Sequence, residues 1–162
     1  MKSVAIPMEE LVPLLQMQME TAGQAWLTVT GGSMMPMLHH RKDRVLLEPV
    51  QKPFKKGDLI LYLRHNGAYV LHRILKVKQD QLICCGDNQF RKEIIGKDQV
   101  LAVVVGFTRK GKQVTVESRG YRRYVALWVG LHPLRWLYLA VRRVLGYIRT
   151  AIRRCRRKIA AK

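Results

Sequence analysis

Apolar residues recur along this chain in two rhythms. Near the start, Leu11, Leu14, Leu15 and Met19 share one face at helical spacing and predict a short helix over 8–23. Pro13 weakens its first turns, and Gly23 ends it. Short β-prone runs follow at 25–30, 45–50, 59–63, 68–77, 82–85, 100–107 and 113–117. Turn signals stand between them: K55-K56-G57-D58, H65-N66-G67, K78-Q79-D80-Q81, G86-D87-N88 and R109-K110-G111-K112. Beyond 119 the rhythm changes again. Residues 124–131 are apolar, His132-Pro133 interrupts, and Leu134, Leu137, Tyr138, Val141, Leu145, Ile148, Ile152 and Ile159 form a stripe at a 3.6 period.

This pattern predicts a mainly β domain, partly closed into a barrel, with a C-terminal amphipathic helix. Its parts are a helix or lid at 1–23, a β domain at 24–118 and a basic helical segment at 119–162.

Charge sharpens that division. The chain carries 30 Lys and Arg against 11 Asp and Glu, a net +19. Residues 1–118 hold only +6 of it; residues 119–162 hold +13 and no acid. Basic residues flanking an apolar stripe with Trp128, Trp136, Tyr138 and Tyr147 suit an anionic membrane surface met through 124–162. Holding phosphates requires no such stripe, which argues against nucleic acid. The run 124–141 is a marginal single-span anchor, because His132, Pro133 and Arg135 lie inside it. A helix lying on the surface fits better, and it places the protein at the cytoplasmic face of a membrane.

The cysteines alter little. Cys84 and Cys85 are adjacent, Cys155 is far away, and neither a disulfide framework nor a zinc-ligand spacing is present. No metal or cofactor is implied. The N-terminus, with Lys2 soon followed by Pro7, Glu9 and Glu10, does not read as a signal peptide.

Candidate chemistry centres on T30-G31-G32-S33-M34-M35-P36-M37-L38, a constrained turn after the first strand. A serine there can present its hydroxyl and its own amide to a bound carbonyl, although Gly-Gly-Ser is also ordinary turn chemistry. A base is needed, and histidines stand at 39, 40, 65, 72 and 132. His72 lies in a central strand, where a histidine by itself is more often structural. Asp87, in the G86-D87-N88 turn, has the residue type that orients such a base; alone it reads as a turn aspartate.

The set S33-M34-M35-P36, G57-D58-L59-I60, H72-R73 and G86-D87-N88 resembles, in order and spacing across 31–107, the type I signal peptidases and their S24/S26-like relatives. With histidine followed by arginine, it is similar to the endoplasmic-reticulum and archaeal version. The resemblance implies a small peptidase-type β domain and a serine endopeptidase acting on an extended peptide or precursor protein near a membrane, after a small residue. It implies Ser33 as nucleophile, its amide as one oxyanion donor, and His72 as general base. Asp87 is the choice for the orienting acid, with Asp98 or a bare Ser–His dyad as alternatives. Where the family often has a serine two residues before the nucleophile, this chain has Gly31. The competing reading is a non-catalytic membrane- or nucleic-acid-binding β domain that keeps a peptidase-like turn. Self-cleaving repressors share the serine but use lysine as base.

Overall fold

A computed structural model describes residues 7–131 and, beyond them, 134, 137, 138, 140–142 and 144–148. Helix α1 (Met8–Ala22) places Val12, Leu15 and Met19 inward, and Gly23 ends it in the left-handed conformation at φ 74°. Eight strands follow: β1 (Ala25–Thr28), β2 (Arg44–Glu48), β3 (Leu59–Leu63), β4 (Tyr69–Val77), β5 (Gln81–Cys85), β6 (Glu93–Gly96), β7 (Val100–Arg109) and β8 (Lys112–Thr115). A single 3₁₀ turn at Lys97–Gln99 joins β6 to β7, and helix α2 (Arg119–Gly130) follows β8.

All pairings are antiparallel. The order is β1-β2-β7-β3-β4-β5-β6, with β8 also paired to β7. The β3–β4 hairpin turns at Arg64–Ala68, closed by the Arg64 amide donating to the Ala68 carbonyl at 2.9 Å. Its register sets Ile60 opposite His72 and Tyr62 opposite Val70. Alternation then separates two cores. Leu59, Leu61 and Leu71 join Leu27, Val45, Met34 and Met37 on one side. Ile60, Tyr62, Ile74, Leu82 and Cys84 pack on the other. His72 and Arg73, adjacent in β4, therefore face opposite ways.

Two expectations are corrected. The partly closed barrel with one C-terminal helix does not form. Among the described residues this is a mixed α/β domain with one open eight-stranded sheet and separate helical elements, α1, the 3₁₀ turn and α2 among them. Among the described residues the end strands β1 and β6 have four residues each and pair only with β2 and β5. Apolar surface that closure would have buried is covered instead by α1, whose Leu15 and Met19 join the core around Leu27.

The second correction concerns the anchor. Among the described residues no helix is long and apolar enough to cross a membrane. Helix α2 has 12 residues and stops at Gly130. At 1.5 Å per residue it reaches about 18 Å, against the roughly 30 Å of a hydrocarbon core. It also carries Arg119, Arg122 and Arg123, so single-span anchoring at 124–141 is not supported. His132, Pro133, Arg135 and Trp136 lie outside the described residues, as does everything from 149 onward, including Cys155, Ile152 and Ile159.

Candidate active site

The serine turn is tied down from three directions. Gly31 adopts φ +83°, a conformation open to glycine, and its amide donates to Nδ1 of His40 at 2.8 Å. The Met37 and Leu38 amides both donate to the Met34 carbonyl, at 3.1 and 3.0 Å, and all three side chains are buried. From across the sheet, the Asn88 amide donates to the Ser33 carbonyl at 2.7 Å, and Asn88 Nδ2 donates to the Gly32 carbonyl at 3.1 Å.

Gly86 lies against both the serine turn and His72. A Cβ there would stand 2.7 Å from the Ser33 carbonyl oxygen and 3.1 Å from Nε2 of His72. The imidazole and the serine turn thus converge on one glycine. Ser33 and His72 also line one cavity of about 180 Å³, with Thr28, Val29, Tyr69 and Leu71 on its walls.

The other ring nitrogen determines what His72 can do. Nδ1 stands 3.1 Å from the Tyr62 hydroxyl and 3.7 Å from Oε1 of Glu93. The Tyr62 hydroxyl donates to Oε2 of Glu93 at 2.7 Å. A phenol has one proton, so with that proton on Glu93 the Tyr62 oxygen accepts from Nδ1–H. Nε2 is then the unprotonated nitrogen, on the side of Gly86 and the serine turn.

Charge follows from burial. Burial pushes the His72 pKa down to about 4, against the carboxylates of Glu93 and Asp87, which favour the cation. His72 is therefore a neutral acceptor at pH 7. Burial alone would raise Glu93, but hydrogen bonds from Arg64 and Tyr62 outweigh it and hold the carboxyl below its ordinary value. Arg64 reaches Glu93 through both Nε, at 2.7 Å, and Nη2. Burial, with the neighbouring carboxylate of Glu93, drives the Tyr62 hydroxyl well up, so it stays protonated.

Asp87 meets a different partner. It is wholly buried, and Arg73 donates to both its oxygens, Nε to Oδ1 at 2.9 Å and Nη2 to Oδ2 at 2.8 Å. Burial opposes the Arg73 charge, but Asp87 more than restores it and raises the guanidinium further. Arg73 also donates to the Gly57 carbonyl at 2.9 Å and the Tyr121 hydroxyl at 3.0 Å, and the Tyr124 hydroxyl donates to Asp87 at 3.3 Å. This cluster fixes the Gly86–Asn88 turn from beneath, on the face of β4 opposite His72.

The remaining candidates lie elsewhere. Asp98 is exposed on the 3₁₀ turn. Nδ1 of His39 is 3.3 Å from Asp43, His65 is exposed at the hairpin tip, and His132 is outside the described residues. Cys84 is buried, and burial pushes its thiol up to about 12, which leaves no thiolate at neutral pH. Among the described residues no group of His, Cys, Asp or Glu could hold a metal ion.

Tyr62, Arg64 and Glu93 are not found by motif reading. The signal that reaches Tyr62 is the hairpin itself. A turn centred on Asn66 pairs 60 with 72, and so puts Tyr62 on the His72 face as its diagonal neighbour. Glu93 has no such signal, because it arrives from the far end of the sheet.

Among curated proteins none matches the chain. A family model described as Peptidase S24-like matches residues 4–106, well over half of the chain and all of the segment carrying Ser33, His72 and Asp87. The chain therefore belongs to the Peptidase S24-like family.

Proposed function

We propose that this protein is a serine endopeptidase with Ser33 as nucleophile and His72 as general base. The observation that carries the reading is the convergence of the serine turn and Nε2 of His72 on Gly86, with Nδ1–H engaged behind. His72 Nε2 takes the Ser33 Oγ proton as the oxygen attacks the scissile carbonyl. The proton then passes to the leaving amine as the C–N bond breaks, and water hydrolyses the acyl-serine by the same base. The orienting role assigned to Asp87 from its motif passes to Tyr62 and Glu93, whose negative charge stabilises the imidazolium. Asp87 supports the site through Arg73 and the turn before Asn88. A cavity of about 180 Å³ supports a small side chain at the cleavage point of an extended peptide or precursor protein.

The exposed stripe of Leu127, Leu131, Leu134, Leu137, Tyr138 and Val141, with Arg122 and Arg123 nearby, supports an anionic lipid surface as a further partner, touched and not crossed.

The test is incubation of the full chain with a pool of unstructured precursor peptides, with products read by mass spectrometry. Wild type is expected to yield discrete cleavages, and Ser33→Ala none, with unchanged circular dichroism. Cleavage retained by purified Ser33→Ala overturns the reading.

A further inference from the structure

A second cleft, about 770 Å³ in volume, opens beside the catalytic cavity between the β3–β4 hairpin tip and the segment 89–95. Arg64 and Gln89 line both spaces, so one extended chain can run from one into the other.

The cleft is cationic. Arg64, Arg91 and Lys92 line it, and among the described residues its only acid is Glu93. That carboxylate is already committed to Arg64 and Tyr62. The charges of Arg91 and Lys92 are left uncompensated by the lining, and both residues are exposed. Phe90 and Ile94, 38% and 60% exposed, add apolar contact. Among the described residues strand β6 ends the sheet order and pairs only with β5; the Gly96 amide is taken by Gln99 Oε1, and the edge around Ile94 is left to face an extended segment.

We propose that this cleft binds an acidic stretch of the peptide substrate, beyond the scissile bond from the cavity walled by Thr28, Val29, Tyr69 and Leu71. The proposal deepens the peptidase reading and rests on it. A strand edge lining this cleft favours a peptide over a nucleic acid, for which a single aromatic residue is a poor stacking platform.

The experiment separates cleft from net charge and binding from cleavage. Two fluorescein-labelled peptides share a small-residue segment followed by four glutamates or four glutamines. Each is titrated into full-length Ser33→Ala protein by anisotropy. The glutamate peptide is expected to bind about tenfold tighter. Arg91→Glu with Lys92→Glu should erase that preference. Lys110→Glu with Lys112→Glu, the same charge change on the β7–β8 hairpin, should preserve it. Equal loss in both double variants, or displacement of the glutamate peptide by a short oligoribonucleotide of higher affinity, overturns the proposal. Preserved binding at the cleft with no cleavage by the wild type would instead sink the peptidase reading and leave an acidic-peptide site standing.

Discussion

The Tyr62 hydroxyl stands 3.1 Å from Nδ1 of His72 and donates its proton to Glu93 at 2.7 Å. This relation fixes the tautomer of the buried imidazole, and it bears directly on what a substitution there will do. In Tyr62→Phe, Nδ1–H loses its acceptor and the ring its orientation. The kcat for peptide cleavage is expected to fall by about tenfold to a hundredfold with KM little changed, a part of the roughly 10²–10⁴ that general acid–base catalysis contributes. Steady-state kinetics check it; an unchanged kcat would place Tyr62 outside the mechanism.

Acid should act on activity and stability in the same direction. His72 is held at about 4, below its ordinary 6.5, so burial in the fold favours the neutral form. The unfolded chain then binds more protons between those values. The contribution of His72 to stability is complete above pH 6.5 and is lost as pH falls toward 4. Glu93, lowered in the fold, adds a loss as pH falls through its folded value. The urea midpoint should therefore drop from pH 7 to pH 4, and less so in His72→Asn. A midpoint independent of pH in the wild type would contradict the burial argument.

Breaking the buried Arg73–Asp87 pair should cost more than removing it. Both side chains are fully buried and bonded at two points. Asp87→Asn or Arg73→Met leaves an unpaired buried charge, and a loss of about 3–5 kcal/mol is expected for each. The double variant Arg73→Met with Asp87→Leu should lose less than either single change. Urea unfolding measures this; additive losses would show that the pair does not act as a unit.

Gly86→Ala tests the convergence of the serine turn with the imidazole. Its Cβ would lie 2.7 Å from a backbone oxygen, which cannot move without moving Ser33. Cleavage should fall by about a hundredfold, the scale set by a displacement of about 1 Å among reacting groups. Thermal unfolding on the same protein distinguishes this from collapse of the fold.

Much of the sheet was legible because alternation and turn chemistry are local. The hairpin around His65-Asn66-Gly67 and the runs that became β3, β4, β5 and β7 could be read from the residues. Closure could not, since strand periodicity does not say whether end strands meet. The four residues of β6 carry no strong pattern of their own. At the site, Ser33 and His72 were marked by residue type and motif spacing. The bond between Asp87 and Arg73 was not legible, because the same aspartate in the same turn can face either surface of β4. Glu93 was illegible for a different reason. Its distance from His72 depends on how β5 and β6 bring the chain back toward Tyr62 and Arg64.

The most direct measurement is the site and rate of modification by a fluorophosphonate, followed by intact mass and peptide mapping. The expected result is one adduct, on Ser33, formed about a hundredfold more slowly in His72→Ala, with the wild-type rate falling as pH drops toward 4. An adduct elsewhere, or a Ser33 adduct formed equally fast without His72, would contradict the assignment of His72 as the base.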